Sequence, residues 1–155
     1  MGADVSWRLA TEADDAAIVA MCLALNTEDA GQERIEAAQV ERTLAVLRAE
    51  PWRGRAVVLD DGGDRVGYAL LISFWSNELG GELCQVDELY VAPRARGRGH
   101  AGALLDALAA GTGPWPTVPA AVTLEVTPEN HRAVALYERL GFKGKNRGMR
   151  RRPVR

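Results

Sequence analysis

Cysteine and aromatic residues are scarce in this sequence. Cys22 and Cys84 are the only thiols among 155 residues, and Phe, Trp and Tyr together make up 6%. Two cysteines cannot build the disulfide framework of a small secreted domain. They also lack metal-ligand spacing, so they read as core thiols and no metal is expected. No apolar run approaches the roughly 20 residues of a membrane span. The opening MGADVSWRLA has no basic start followed by an apolar core, so no export signal is read there. Nor is there an excess of one charge. The formal net charge is −2, which argues against general nucleic-acid binding. These absences point to a reducing cytoplasm, with no membrane and no nucleic acid as partner. What is present is ordinary for a globular protein: 47% hydrophobic and 26% charged residues. That supports one domain over 1–155 with a real core.

The most informative stretch runs from Gln85 to Ala110. Val86, Leu89, Tyr90 and Val91 form a short run suited to a buried strand. Pro93 ends it, because proline has no N–H for a ladder. Arg96-Gly97-Arg98-Gly99-His100-Ala101 follows. Ala101, Leu104, Leu105 and Leu108 then repeat at i, i+3, i+4, i+7, one apolar stripe of a helix. Small residues let backbone approach a ligand closely, and the first N–H groups of a helix lack partners and carry partial positive charge. With Arg94, Arg96 and Arg98 added, this is a seat for an anion such as phosphate or pyrophosphate.

Elsewhere the chain reads in order. Val5–Leu9 suits a strand, and Thr11 with Asp14 makes a capping box. Ile18, Met21, Cys22 and Leu25 mark a helix face, broken by the polar Asn26–Gln32. A second helix is expected over Ile35–Leu47. Strands over Arg55–Leu59 and Arg65–Trp75 flank a hairpin turn, with Gly67 as a candidate bulge. After a loop over Gly111–Pro119, Val122–Val126 is strand-like. Thr127 and Pro128 suit a helix start, Ala133, Leu136, Tyr137 and Leu140 share a face, and Gly141 suits its end. A last strand begins at Phe142 in a basic tail. The order β-α-α-β-β-β-α-β-α-β is that of a mixed α/β (α+β) sheet.

Two separated segments together resemble the GNAT superfamily of acyl-CoA-dependent N-acyltransferases. One is Arg96-x-x-Gly99-x-Ala101 after its strand. The other is Leu124-Glu125-Val126 followed by Asn130-x-x-Ala133-x-x-Leu136-Tyr137-x-x-x-Gly141-Phe142. The resemblance implies a central, mostly antiparallel sheet flanked by helices, and acetyl-CoA as co-substrate. It implies that the backbone of Leu89, Tyr90 and Val91 holds the pantetheine arm. Arg96, Gly97, Arg98, Gly99, His100 and Ala101 would hold the pyrophosphate. Asn130 would contact the cofactor arm or fix its helix, and Tyr137 would protonate the leaving sulfur. Glu125 and Glu88 are equal candidates for the base, with Asp87 behind. Asp87 and Glu88 are expected on opposite faces of their strand. A water chain without a dedicated base is the remaining option.

Other readings compete. Gly97-x-Gly99-x-x-Gly102 also matches a dinucleotide fingerprint, but five residues separate it from the strand and too little chain follows for a dinucleotide sheet. Tyr137 has the spacing of a core tyrosine, Glu125 could serve only the sheet, and His100 and His131 suit the surface of a helix start. The basic tail is read as a solvated end rather than a nucleic-acid patch. The acidic residues Glu28, Asp29, Glu78, Glu82 and Asp87, with Trp75, lie where the family builds its acceptor site. They suggest transfer of an acetyl group to a small cationic primary amine. Acylation of a peptide or protein N-terminus and a non-catalytic acyl-CoA-binding module are the alternatives, and a homodimer is left open.

Overall fold

The computed structural model describes residues 4–29, 33–144 and 151–153. The chain divides into two compact units, Met1–Glu125 and Val126–Arg155. The first holds β1 (Val5–Leu9), a 3-10 turn (Glu12–Asp14), α1 (Asp15–Glu28), α2 (Ala37–Ala49), β2 (Gly54–Asp61), β3 (Asp64–Ser76), β4 (Gly81–Val91), α3 (His100–Ala110) and β5 (Ala121–Leu124). The second holds α4 (His131–Arg139). The strands form one sheet in the order β1-β2-β3-β4-β5. It is antiparallel from β1 to β4, and β5 joins β4 in parallel. The expected α/β architecture and its order of elements are therefore present. The strand expected after Phe142 falls largely on 145–150 and 154–155, outside the described residues.

The core follows from the apolar stripes. Ile18, Met21 and Cys22 of α1 and Val40, Leu44 and Leu47 of α2 pack against Val58, Tyr68, Leu70 and Tyr90 on one face of the sheet. On the other face Leu59 and Val66 pack with Trp7, Val91 and Ala95, and α3 buries Leu104, Leu105 and Leu108.

Several boundaries differ from the periodicity for local reasons. The polar Asn26–Glu28 belong to α1, because Asn26 takes bonds that a bare helix end would lack. It accepts from the Ile35 N–H at 3.1 Å and donates to the Glu33 carbonyl at 2.9 Å. Thr127 does not cap α4. A turn places the Asn130 N–H on the Thr127 carbonyl at 3.0 Å, and Asn130 becomes the cap, its side chain accepting from the Ala133 N–H at 3.2 Å. The extra residue in β3 is Val66 rather than Gly67, since Leu59 opposes Gly67 and Asp60 opposes Arg65.

The Thr11–Asp14 capping box forms and carries more than a cap. Asp14 is fully buried and accepts from Arg8 at 2.8 and 3.1 Å, from Arg65 at 2.7 Å and from the Thr11 N–H at 2.8 Å. Arg8 foremost, working against desolvation, holds the Asp14 carboxyl far below the usual carboxylate range. Because the folded-state value lies below the unfolded one, this cluster stabilises the fold fully above about pH 4, and the contribution fades as pH falls below that. Asp14→Asn should lower stability by about 3 kcal/mol at neutral pH, since it removes the buried carboxylate that two half-buried arginines share. Urea unfolding should show the deficit, and the gap to the parent protein should narrow on acidification below about pH 4.

Candidate active site

The site grows out of one irregularity in β4. Leu70 opposes Glu88, but the next residue of β3, Leu71, opposes Val86. Asp87 is thus an extra residue, a β-bulge. Parallel pairing with β5 runs from Leu83–Ala121 to Val86–Leu124 and stops there. Beyond that point β4 has β3 on one side and, among the described residues, no strand on the other. The Ala92 N–H bonds the Val66 carbonyl at 2.7 Å. By the alternation of an antiparallel ladder, Tyr90 also bonds β3, while Leu89 and Val91 turn their backbone groups to the open edge. The Val91 carbonyl on that edge is taken by Arg96 Nε at 2.7 Å.

The bulge also changes which way the carboxylates point. Leu70 and Leu71 face opposite sides, so Val86 and Glu88 do too, although two residues apart. Glu88 therefore shares the α1–α2 face with Tyr90. Its Oε1 accepts from the fully buried Tyr68 hydroxyl at 2.7 Å and from the Cys22 thiol at 3.3 Å. Burial foremost pushes the Cys22 thiol up to about 12, and Glu88 and Asp87 both add to the shift. Asp87, the unpaired residue between Val86 and Glu88, stands outside the simple alternation of the strand. Asp87 meets solvent, yet its carboxyl is pushed up, first by partial desolvation and then by the like charges of Glu88 and Glu125. Glu125, exposed just past β5, completes a set of three acidic groups.

The anion seat lies past the end of the same strand. Gly97 and Gly99 have φ of +77° and +79°, a backbone that side chains disfavour, and the space where a Cβ would stand is open at both. The Ala103 N–H is the first of α3 to bond back, to the Gly99 carbonyl at 2.9 Å. The amides of His100, Ala101 and Gly102 precede it and belong to the open first turn. Trp7 Nε1 donates to the His100 carbonyl at 2.8 Å and pins that turn to β1. The three arginines have separate roles. Arg94 pairs with Asp64. Arg96 pairs with Glu28 at 2.9 Å and covers the Tyr90 ring at 5.3 Å. Arg98, among the described residues, has no ion-pair partner and is exposed.

In the second unit, Tyr137 is half-buried on α4 and meets Phe142 edge-on at 5.9 Å. Its hydroxyl has no hydrogen-bond partner among the described residues, and desolvation pushes its pKa up. The phenol is therefore protonated at neutral pH.

The acetyltransferase (GNAT) family profile matches residues 15–142. The chain belongs to the GNAT acetyltransferase family. It is accordingly an acyltransferase that uses acetyl-CoA as co-substrate. The residues at the anion seat fit that group, with open space above two left-handed glycines, free first-turn amides and one unengaged guanidinium. Among solved structures, this GNAT chain is similar to an integron cassette protein from the mobile metagenome of Cole Harbour Salt Marsh. The two are 26% identical with a TM-score of 0.73, over 96% of this chain and 90% of that one. It shares its fold with the ribosomal-protein-alanine N-acetyltransferase from Brucella melitensis biovar Abortus 2308, at 20% identity, TM-score 0.70 and coverage of 96% and 99%. It likewise resembles the aminoglycoside N-acetyltransferase AAC(6')-Iy in complex with CoA, at 18% identity, TM-score 0.72 and coverage of 99% and 97%. No curated protein sequence matches the chain.

The residues singled out in the sequence fall into groups. Asp87 lies near enough to Glu88 and Glu125 to feel both charges. Glu28, the last residue of α1, is engaged by Arg96, and Asp29 caps α1, its N–H on the Leu25 carbonyl at 3.0 Å. Trp75 and Glu78 lie elsewhere. Trp75 opposes Glu82, five positions from Asp87, roughly 17 Å at the usual strand rise. Glu82 accepts from Ser73, Trp115 and Thr117 at 2.7, 3.2 and 2.9 Å, which makes it a tie between strands and loop. Tyr68 and Cys22 as partners of Glu88 were not visible in the sequence, because nothing local announces the bulge that creates the contact. Among the described residues no group of three or more His, Cys, Asp or Glu could hold a metal ion, and no helix is long and apolar enough to cross a membrane.

Carboxyl titration by carbon-13 NMR should place Asp87 above the ordinary aspartate range. Glu125→Gln should lower its midpoint by removing a like charge. An unchanged midpoint would show that these two carboxyls do not sense each other.

Proposed function

We propose that this acetyltransferase moves the acetyl group of acetyl-CoA to the primary amine of a small cationic acceptor, by direct attack in a ternary complex. The observation that carries this reading is the acidic set Asp87, Glu88 and Glu125 beside the open edge of β4. An anionic mouth attracts a protonated amine, and the amine must then lose a proton before it can attack. Acetyl-CoA, when bound, supplies a thioester carbonyl. The free amides of Leu89 and Val91 are suited to the pantetheine arm and to the oxygen that gains charge during attack. The amides from Gly97 to Ala101, with the Arg98 side chain, are suited to the pyrophosphate. Arg96 serves this seat indirectly, by tying the loop to α1 and to the Val91 carbonyl. Glu88 contacts the attacking nitrogen and receives its proton, and exposed Glu125 offers a relay through water. Tyr137, protonated and with no hydroxyl partner among the described residues, gives a proton to the departing sulfur, and Asn130 fixes the helix that carries it. In this reading residues 1–155 act as one acetyltransferase domain, and the two buried free thiols suit a reducing cytoplasm.

A panel of acceptors with acetyl-CoA tests the substrate class. Spermidine, an aminoglycoside and an alanine-led peptide should separate, with the polyamine or aminoglycoside preferred. Acetylation of the peptide alone would replace the small-amine reading with an N-terminal one, and thioester hydrolysis with no acceptor used would point to a binding module. Tyr137→Phe should lower kcat by about 100-fold while leaving the KM for acetyl-CoA unchanged. Gly99→Val should weaken coenzyme A binding about tenfold in calorimetry, because a branched side chain strains the left-handed backbone there.

A further inference from the structure

We infer that Tyr68 is a positioning residue: its buried hydroxyl, with the Cys22 thiol beside it, holds one oxygen of Glu88 so that the other is presented to the acceptor amine. This rests on the reading of Glu88 as an acceptor contact and assigns a cause to its orientation.

Three observations carry it. First, Tyr68 and Cys22 converge on the same atom, Oε1 of Glu88, at 2.7 and 3.3 Å. Oε2 has no partner among the described residues. Second, the two donors come from different elements, β3 and α1, and both are rigid. Tyr68 is fully buried and Cys22 nearly so, each packed in the main core cluster. A carboxylate held from two directions by core side chains loses the rotamer freedom that a glutamate at a solvent edge would keep. Third, a phenol in that core must find an acceptor, and the bulge at Asp87 is what turns Glu88 to the Tyr68 face. Without the extra residue, the side chain opposite this part of β3 would come from the other parity of the strand. Both donors remain protonated across the physiological range. Burial foremost, then the charge of Glu88, drives the Tyr68 hydroxyl far above its ordinary value, and the Cys22 thiol is pushed up to about 12. Neither donor is lost to titration in that range.

Tyr68→Phe keeps the ring and deletes only the donor. Acetyl transfer to spermidine, an aminoglycoside and an alanine-led peptide should be measured for the parent enzyme, Tyr68→Phe, Glu88→Gln and the double variant. Tyr68→Phe should lower kcat/KM for the acceptor about tenfold, the usual scale for losing a hydrogen bond to a charged group. The KM for acetyl-CoA should stay the same, and the loss should largely vanish in the Glu88→Gln background, because the two act through one oxygen. An unaltered acceptor kcat/KM in Tyr68→Phe would overturn the inference while leaving Glu88 as an acceptor contact. So would an undiminished loss in the Glu88→Gln background, or a loss that appears equally in the acetyl-CoA KM, which is the pattern of a merely structural role. A Glu88→Gln variant with normal acceptor kinetics would overturn the reading of Glu88 and this inference together, as would a parent enzyme that acetylates no member of the panel.

Discussion

The structure depends on where β4 stops pairing. Four residue pairs join it to β5, and the ladder ends at Val86 and Leu124, next to the extra residue Asp87. Pairing continued as far as Val91 would have closed the edge that Leu89 and Val91 now present. The sheet is held in register on its other side by the long β3–β4 hairpin, so the missing bonds weaken the sheet little while leaving a row of backbone donors and acceptors without a strand. An open edge is usually a hazard for aggregation. Here it runs between a carboxylate cluster and a glycine loop, and the same groups that make edges sticky are suited to holding an amide-bearing ligand.

Two charged clusters serve opposite ends of this arrangement. Asp14 draws Arg8 and Arg65 into the first turn, fixing the start of α1 against β1 and β3. Arg96 engages Glu28 at the far end of the same helix. Helix α1 is therefore tied at both ends, by an aspartate that receives arginines and by a glutamate that receives one. That fixes the position of Cys22 between them, and so the donor it offers to Glu88. The position of Cys22 and that of the glycine loop are thus linked through the same helix.

Much of the fold was legible in the sequence because its signals are local. The strand from Val5 to Leu9, the Thr11–Asp14 box and the apolar stripe of α3 each depend on residues within one or two turns. Family membership was legible because two short motifs with fixed internal spacing occur in order. What could not be read were relations set by register across strands. Asp87 and Glu88 obey alternation in isolation, and only the pairing of Leu70 and Leu71 with β4 shows that one of them is supernumerary. The same holds for Glu82, which reads as one more acidic residue before the key strand but ties Ser73 to Trp115 and Thr117. Glu28 likewise reads as a free carboxylate and is engaged by an arginine 68 positions away. Long-range hydrogen bonds leave no periodicity behind.

The glycine loop gathers three arginines in the sequence, yet two of them are engaged by carboxylates, Asp64 and Glu28. What remains for a ligand is a curved row of amides and, among the described residues, a single exposed guanidinium without an ion pair, that of Arg98. A seat made this way weighs form over charge. It rewards a compact anion that can touch several N–H groups at once, and it gains little from a long polyanion, whose extra charges would find only one guanidinium to meet. Selection for a compact pyrophosphate over the many phosphates of a cell would then come from curvature, a property that ionic strength changes very little.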